Sequence, residues 1–214
     1  MKDLSNYRKS YDKSELVETS IPQDPINLFN KWFHETEDFG GVEEVNAMTV
    51  STIGLDGFPK SRIVLLKNFN EDGFIFYTNY NSEKGKAITN NPNVCLSFFW
   101  PSLERQIIIK GTASKVASSI SDNYFASRPD GSKLGAIVSP QSEVIPNRAF
   151  LEEKLKQLEN QFQGKEIPRP NNWGGFLVKP FEVEFWQGRP NRLHDRIRYK
   201  MQNSIDWKIE RLSS

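Results

Sequence analysis

Hydrophobic and polar residues alternate with a period of two over much of this chain, the pattern of β-strands. Met48–Ile53 alternates in this way, the Asp56-Gly57 pair predicts a tight turn, and Lys60–Lys67 follows as the hairpin partner. Further strands are predicted at Phe74–Thr78, Val94–Trp100, Arg105–Val116, Gly175–Trp186 and Ile205–Leu212. Six or more strands with mostly short links indicate a mainly β protein, an antiparallel barrel or sandwich rather than a parallel sheet.

Helical spacing occurs before and between the strands. Asp24-Pro25 predicts an N-cap followed by proline at the first helical position. Ile26, Phe29, Trp32 and Phe33 then fall at helical spacing, which predicts an amphipathic helix of about a dozen residues. Shorter helices are predicted near Ser82–Asn90, over Ser121–Ser127 and after Asn147.

The first 22 residues differ from the rest of the chain, because they are polar and only weakly periodic. They predict a mobile N-terminal arm that becomes ordered only where something docks on it. Residues 23–214 show no internal repeat and no low-complexity tract, so we predict a single domain with flanking helices.

The charge balance limits the classes of partner. Lysine and arginine number 28 against 27 acidic residues, a net charge of +1, which gives no reason to expect nucleic acid or a membrane as the main partner. The N-terminus has no apolar signal segment, and no apolar run is long enough to span a membrane, so a cytoplasmic, soluble protein is expected. An anionic ligand would need a local cluster of cations.

The chain has few residues for unaided catalysis. Cys95 is the single cysteine, which excludes a disulfide within the chain, and the two histidines, His34 and His194, lack metal-ligand spacing. No nucleophile elbow, P-loop or dinucleotide fingerprint occurs. No metal is therefore expected, and an enzyme of this sequence would need an organic cofactor.

One segment concentrates basic residues after the strand that ends at Trp186. Arg192, His194 and Arg196 alternate there, and in an extended chain they would share one face. Two guanidiniums and an imidazole on one face suit an anionic or aromatic ligand, although a solvated, charged edge strand is the alternative.

The same segment carries a family resemblance. It runs Glu184-Phe185-Trp186-Gln187, four spacer residues, then Arg192-Leu193-His194-Asp195-Arg196, and it resembles the signature of the pyridoxine 5′-phosphate oxidase family. Other similar stretches are Arg62–Lys67, Phe76–Asn79, Glu104–Gln106, Tyr124–Pro129, Gln141-Ser142 and Trp173–Phe176, so the resemblance spans about Arg8 to Leu212. It implies a split β-barrel, a homodimer, and flavin mononucleotide (FMN) in a cleft between subunits.

The resemblance also implies the residues that bind FMN. They are Arg62, Ile63, Val64, Leu65, Tyr77, Thr78, Lys84, Gln106, Gln141, Ser142, Trp186 and Arg196. Lys84 follows the start of a short helix, where free backbone N–H groups and the helix dipole favour phosphate. The family usually has arginine where this chain has Glu83, so Glu83 either weakens FMN binding or points away.

A second implied set contacts a phosphorylated vitamin B6 substrate, pyridoxamine or pyridoxine 5′-phosphate. It comprises Arg8, Tyr11, Lys67, Tyr124, Arg128, Ser132, Arg192 and His194, with Arg192 and His194 as the catalytic residues. Arg62 and Lys67 lie five apart and would face opposite sides of a regular strand, in keeping with their different ligands. Ser132 is expected in a loop, and Arg8 to Tyr11 is either a lid over the substrate or a disordered tail.

The implied reaction passes a hydride from the C4′ carbon of the substrate to the flavin and yields pyridoxal 5′-phosphate. Molecular oxygen then reoxidises the flavin to give hydrogen peroxide, and the amine substrate also releases ammonia. Two other classes stay open: a split-barrel flavoprotein with a different substrate, and a barrel that binds nucleic acid or another partner without catalysis.

Overall fold

The computed structural model describes residues 2–203 and 205–214. Its strands are β1 (Ala47–Ile53), β2 (Pro59–Asn70), β3 (Gly73–Asn79), β4 (Asn93–Trp100), β5 (Arg105–Lys115), β6 (Trp173–Gln187), β7 (Asp195–Gln202) and β8 (Asp206–Leu212). Its α-helices are α1 (Pro25–Phe39), α2 (Glu83–Asn90), α3 (Ser118–Ala126), α4 (Asp130–Val138) and α5 (Arg148–Phe162). Short 3₁₀ turns occupy Glu18–Ser20 and Pro190–Arg192.

The strands form one antiparallel sheet that closes on itself. Their order is β3-β2-β1-β4-β5-β6-β7-β8, and β3 also pairs with β6. The first six strands of this order therefore make a closed ring, and β7 and β8 extend the sheet from β6. The mainly β, antiparallel barrel predicted from the alternating pattern is confirmed, because residues of alternate parity along the strands enter the core.

The chain divides into two compact units. The first contains Met1–Val50, Cys95–Gly111 and Pro180–Ser214, and the second contains Ser51–Val94 and Thr112–Lys179. Each unit is assembled from segments that are distant in sequence. The single domain over residues 23–214 stays a prediction.

Helix α1 supplies much of the core of the first unit. The Asp24 carboxylate accepts a hydrogen bond from the Ile26 N–H at 2.7 Å, which caps the helix start as predicted. Phe29 packs on Phe98 with ring centroids 5.1 Å apart, and Trp32 packs edge-on against Phe185 at 5.2 Å. These rings are fully or almost fully buried, and each such burial contributes about 1.5–3 kcal/mol.

The second unit has its own aromatic core. Strand β3 pairs with β6 in a register that sets Phe76 opposite Phe176, and both rings are buried. A separate cluster joins Phe125, Leu134, Ile167 and Trp173, which brings α3 and α4 against the start of β6. This cluster supports the helices that carry part of the site.

The extended interpretation of Arg192–Arg196 is wrong. Pro190–Arg192 forms a 3₁₀ turn in which Asn191 and Arg192 have positive φ values of 56° and 61°, and β7 begins only at Asp195. Proline fixes its own φ and lacks an N–H group, so the chain turns here instead of pairing as a strand. Arg192, His194 and Arg196 consequently do not share one strand face.

Two further elements differ from the sequence predictions. Strand β7 was not predicted, because the charged residues Arg196, Arg198 and Lys200 obscure its alternation. Ser132 lies in the first turn of α4 rather than in a loop, since the Pro129 carbonyl accepts the Lys133 N–H at 3.1 Å and so starts the helix.

No helix among the described residues is both long and apolar enough to cross a membrane. Within the same residues, no group of three or more histidine, cysteine, aspartate or glutamate side chains is arranged to hold a metal ion.

Candidate active site

A cavity of about 510 Å³ opens in the second unit, between β2, β3, α3 and α4. It brings together most of the residues expected from the resemblance in this part of the chain: Ile63, Val64, Leu65, Lys67, Tyr77, Thr78, Lys84, Tyr124, Arg128, Ser132 and Gln141. These residues come from segments up to 78 positions apart (63 to 141) and meet because β3 pairs with both β2 and β6.

One side of this cavity is a stack of aromatic rings. The rings of Tyr77 and Tyr124 lie 3.9 Å apart, centroid to centroid, at an interplanar angle of 18°. Trp173 continues the arrangement, 5.5 Å from Tyr77 and at 11° to it. Trp173 belongs to one of the stretches that resemble the family, but it was not predicted as a site residue.

Arg128 lines the cavity and has a buried hydrogen-bond donor that is available to a ligand. Its guanidinium lies 4.7 Å from the Trp173 ring centre, and its Nη1 atom is buried without a hydrogen-bond partner among the described residues. Burial lowers the pKa of Arg128. An unpaired buried donor costs about 1–3 kcal/mol, so an anionic acceptor in the cavity would relieve that cost.

Lys67 lies at a β-bulge, where the pairing register of β2 with β3 shifts between Leu66 and Asn68. A bulge re-aims a side chain relative to a regular strand. Lys67 lines the cavity and is exposed, and within the described part of the chain its ammonium forms no ion pair. It is therefore available to an anion.

Lys84 is buried near the start of α2. Its Nζ donates to Thr78 Oγ1 at 3.3 Å, and that hydroxyl in turn donates to Gln141 Oε1 at 3.3 Å. Burial and then the nearby charge of Arg62 lower the pKa of Lys84. Arg62 itself does not line the cavity, and its Nη1 donates to Thr52 Oγ1 at 2.7 Å.

Glu83 points away from the cavity. Its carboxylate lies 2.6 Å from Lys60 Nζ in an exposed ion pair, and it does not line the cavity. Through its charge it opposes the lowering of the Lys84 and Arg62 pKa values. Of the two possibilities raised by the sequence, that Glu83 weakens FMN binding or that it points away, the structure favours the second.

A second cavity, of about 500 Å³, lies in the first unit. It is lined by arm residues together with the 189–194 turn, so Arg8 and Tyr11 lie in the same cavity as Arg192 and His194. Trp186 stands beside it, with its ring 4.7 Å from that of His194. Arg189, which was not expected in the site, also lines this cavity.

His194 is held as a neutral ring. Its Nδ1 accepts a hydrogen bond from the backbone N–H of Arg189 at 3.1 Å, so the remaining proton is carried by Nε2. Burial and then the charge of Arg192 lower the pKa of His194, whereas Asp195 opposes them. At neutral pH His194 is therefore a hydrogen-bond donor through Nε2 rather than a cation.

Arg192 is presented without an internal counterion. Arg192 is exposed, and its backbone has a φ of 61°, in the left-handed region. This conformation costs a non-glycine residue about 1–3 kcal/mol. Among the described residues no ion pair or hydrogen bond engages its guanidinium. By contrast, neighbouring Arg189 contacts Asp195 at 3.4 Å and Glu15 at 3.6 Å.

Besides Arg62 and Trp186, three further expected FMN contacts line neither cavity. Arg196 is paired with Glu184 at 2.8 Å and donates to the Ser213 carbonyl, Gln106 is half-buried on β5, and Ser142 is exposed with a φ of 74°. Their predicted contacts with FMN stay predictions.

The closed antiparallel barrel and its aromatic, cation-lined cavity place the chain in the class of split β-barrel proteins. Residues 34–162 match the family profile described as pyridoxamine 5′-phosphate oxidase. Residues 173–214 match that of the pyridoxine 5′-phosphate oxidase C-terminal dimerisation region. The chain therefore belongs to the pyridoxamine 5′-phosphate oxidase family, and the second match supports a homodimer.

Individual relatives agree with this assignment. A Flavobacterium johnsoniae protein named pyridoxine/pyridoxamine 5′-phosphate oxidase is 78% identical over 214 residues, 100% of both chains. A Christiangramia forsetii protein of the same name is 57% identical over 212 residues, 99% of each chain. The crystal structure of PhzG from Burkholderia lata 383 with tetrahydrophenazine-1-carboxylic acid has a TM-score of 0.87 and 29% identity, and the alignment covers 96% of this chain and 100% of that one.

Proposed function

We propose that this protein is an FMN-dependent oxidase that converts pyridoxamine or pyridoxine 5′-phosphate to pyridoxal 5′-phosphate. Relatives that match over the full chain length are named pyridoxine/pyridoxamine 5′-phosphate oxidase. The observation that carries the substrate assignment is the cavity of the second unit, which is lined by stacked aromatic rings and by Arg128 and Lys67, two cations without a carboxylate partner among the described residues. Such a cavity suits a flat ring with a phosphate tail.

The residues present fit FMN. Lys84, Thr78 and Gln141 form a hydrogen-bonded chain of polar groups along the cavity, beside the N-terminus of α2. A lysine and free helix N–H groups match a phosphate, and an amide and a hydroxyl match the ribityl chain or the imide edge of the flavin. When bound, FMN supplies the acceptor for the hydride lost by the substrate.

The protein's own residues bind and orient the substrate. We assign its phosphate to Lys67, Arg128, Tyr124 and Ser132, which line one cavity. We assign the stabilisation of the charge that develops on the ring to Arg192, which has no ion pair within the described part of the chain, since a fixed cation is most effective where charge appears. His194, neutral and donating through Nε2, orients a polar substituent of the ring.

Oxygen as the final acceptor, with release of hydrogen peroxide, is part of the proposal. A visible spectrum of the purified protein tests for bound flavin, and peroxide release on addition of pyridoxamine 5′-phosphate tests the reaction. A colourless protein that also fails to bind added FMN would contradict the proposal. Flavin absorption without peroxide release on this substrate would point to a flavoprotein of different specificity.

Lys67→Met gives a direct test of the phosphate assignment. We expect the KM for pyridoxamine 5′-phosphate to rise about 10-fold or more, because a charge-assisted hydrogen bond is worth about 1.5–3 kcal/mol. Steady-state kinetics measures it, with Lys156→Met, an exposed lysine on α5 outside the cavity, as the matched control. An unchanged KM in Lys67→Met would remove Lys67 from the substrate site.

We further propose that each FMN lies between the two subunits of the homodimer, with Lys84 from one protomer and Arg192 from its partner. Ile63, which lines the cavity, is 67% exposed, and an apolar side chain at the mouth of a site suits cover by a second copy. Co-expression of Lys84→Met and Arg192→Leu chains tests this arrangement. In a mixed dimer one of the two sites would then contain both wild-type residues.

Assayed at an FMN concentration that saturates the wild type but not Lys84→Met, the mixed dimer is expected to recover close to half of the wild-type activity, far above either parent variant. If Lys84 and Arg192 instead served the same site from one chain, both sites of the mixed dimer would carry a substitution. Activity no higher than that of the parents would therefore exclude the shared arrangement.

A further inference from the structure

Glu104 is an unusually placed carboxylate. It ends the turn between β4 and β5 with a positive φ of 57°, and its side chain is 0% exposed. The assigned catalytic and binding residues do not include it. A buried carboxylate at a strained backbone position needs partners that offset its desolvation.

Those partners come from the N-terminal arm. Glu104 Oε2 accepts hydrogen bonds from the backbone N–H groups of Asp12 at 2.9 Å and Lys13 at 3.2 Å. Its Oε1 lies 3.1 Å from Lys9 Nζ. Burial raises the pKa of Glu104, but the contact with the Lys9 ammonium and the hydrogen bonds from the Lys13 and Asp12 N–H groups outweigh it and hold that pKa below its usual value. Glu104 is therefore ionised when the arm is docked.

The backbone of the same residue holds the turn after Trp186. The Glu104 carbonyl accepts the Gly188 N–H at 2.8 Å and Gln187 Nε2 at 3.3 Å. A Cβ on Gly188 would lie 2.8 Å from Tyr11 Cβ and 3.0 Å from Glu104 Cβ, so the absence of a side chain there lets the arm approach. Glu104 thus joins the arm to the turn after Trp186, beside the second cavity.

The arm segment held in this way forms part of the second cavity. Tyr11 packs edge-on against Trp186 at 5.7 Å and lies 5.8 Å from His194, ring centroid to ring centroid. Other anchors of the arm do not involve the Glu104 side chain: Lys13 Nζ donates to the Ser102 carbonyl, Asp195 accepts the Leu16 N–H, Arg189 donates to the Ser14 carbonyl, and Arg211 pairs with Glu18. Loss of the Glu104 carboxylate would loosen residues 8–12 and free the backbone of Lys13 while these anchors remain.

We propose that Glu104 is a positioning residue that latches the N-terminal arm in place as a wall of the second cavity, beside Arg192 and His194. It acts on the substrate through Arg8 and Tyr11 rather than by contact. The identity of that substrate rests on the proposed function, whereas the latch itself rests on the contacts of Glu104.

Protease sensitivity of the full-length protein tests the latch without any reference to activity. In Glu104→Gln the amide nitrogen is a donor and faces either the Lys9 ammonium or the backbone N–H groups of Asp12 and Lys13, which are also donors. The substitution therefore removes one of the contacts that hold the arm. Tryptic cleavage after Lys9 and Lys13, followed by mass spectrometry, is expected to be about 10-fold faster or more, since arm opening controls access. Glu43→Gln, an exposed carboxylate of the same unit, is the matched control and should cleave as the wild type does.

Lys9→Met covers the case in which Glu104→Gln folds poorly, which circular dichroism would reveal. It removes one exposed partner and leaves the buried carboxylate intact, so an intermediate rise in cleavage at Lys13 is expected. Wild-type rates of cleavage at Lys13 in both variants would overturn the latch.

Kinetics then connects the latch to the site. Glu104→Gln is expected to raise the KM for pyridoxamine 5′-phosphate several-fold, with FMN content unchanged. In a Tyr11→Ala background it should add little, because both changes act through the arm. Independent, multiplying effects would overturn the positioning role. Faster proteolysis in a protein with no oxidase activity would leave the latch standing and count against the proposed function alone.

Discussion

Arg192→Leu is expected to lower kcat for pyridoxamine 5′-phosphate oxidation by about 100-fold or more while leaving FMN content unchanged. Arg192 is presented on a left-handed turn without a counterion among the described residues, so its charge is available to the substrate. Removing a fixed charge that acts on the transition state affects turnover more than binding. The measurement pairs steady-state kinetics with the flavin-to-protein absorbance ratio.

Arg148→Leu provides the control for Arg192, because Arg148 is an exposed arginine on α5, paired with Glu152 outside both cavities. It should retain wild-type kcat. Equal losses of turnover and of FMN in Arg192→Leu would refute a substrate-side role and place Arg192 at the cofactor instead.

Lys84→Met is expected to weaken FMN binding and to leave turnover of the FMN-loaded enzyme largely intact, the opposite of Arg192→Leu. The dissociation constant for FMN should rise about 10- to 150-fold, since a hydrogen bond to a charged group is worth about 1.5–3 kcal/mol. Lys84 is buried, and burial together with Arg62 already lowers its pKa, so a phosphate at this point would offset an unfavourable placement of charge. Titration of the apoprotein with FMN, followed by flavin fluorescence, measures the effect.

Enzyme saturated with FMN should recover most of its turnover in Lys84→Met, and the KM for substrate should stay near the wild-type value. Lys86→Met is the matched control, because Lys86 lies on the same helix but is exposed and outside the cavity. Unchanged FMN affinity in Lys84→Met, with a raised substrate KM, would reassign Lys84 to the substrate phosphate.

The strand pattern illustrates what could be predicted without coordinates. The predicted strands all formed, with ends displaced by no more than about three residues, because alternation of burial is a local property of the sequence. Strand β7 was not predicted, because its charged residues are typical of an exposed loop. In the folded chain they pair with carboxylates of the neighbouring strands, such as Glu184 and Glu210, and this pairing cannot be read from a local pattern. The N-cap at Asp24 was predictable for the same local reason as the strands.

The site was predicted as a set of residues and not as an arrangement. Motif resemblance identified Arg192 and His194, but the extended chain assumed for them was wrong, because backbone conformation in a turn depends on the surrounding packing. The sequence marked Arg128 as a candidate, whereas its buried, unpartnered Nη1 became visible only in the structure.

The sequence by itself determined the β-rich architecture, the family and the chemical groups available, since period, turn residues and motifs are all local. Only the tertiary structure decided which charges are neutralised and which are left for a ligand. The contact between Asp12 and Glu104 spans 92 positions, and no periodicity encodes such a pairing. Arg196 is neutralised by Glu184 while Arg192, four residues earlier, has no such partner in the described chain, because folding brings only one of them beside a carboxylate.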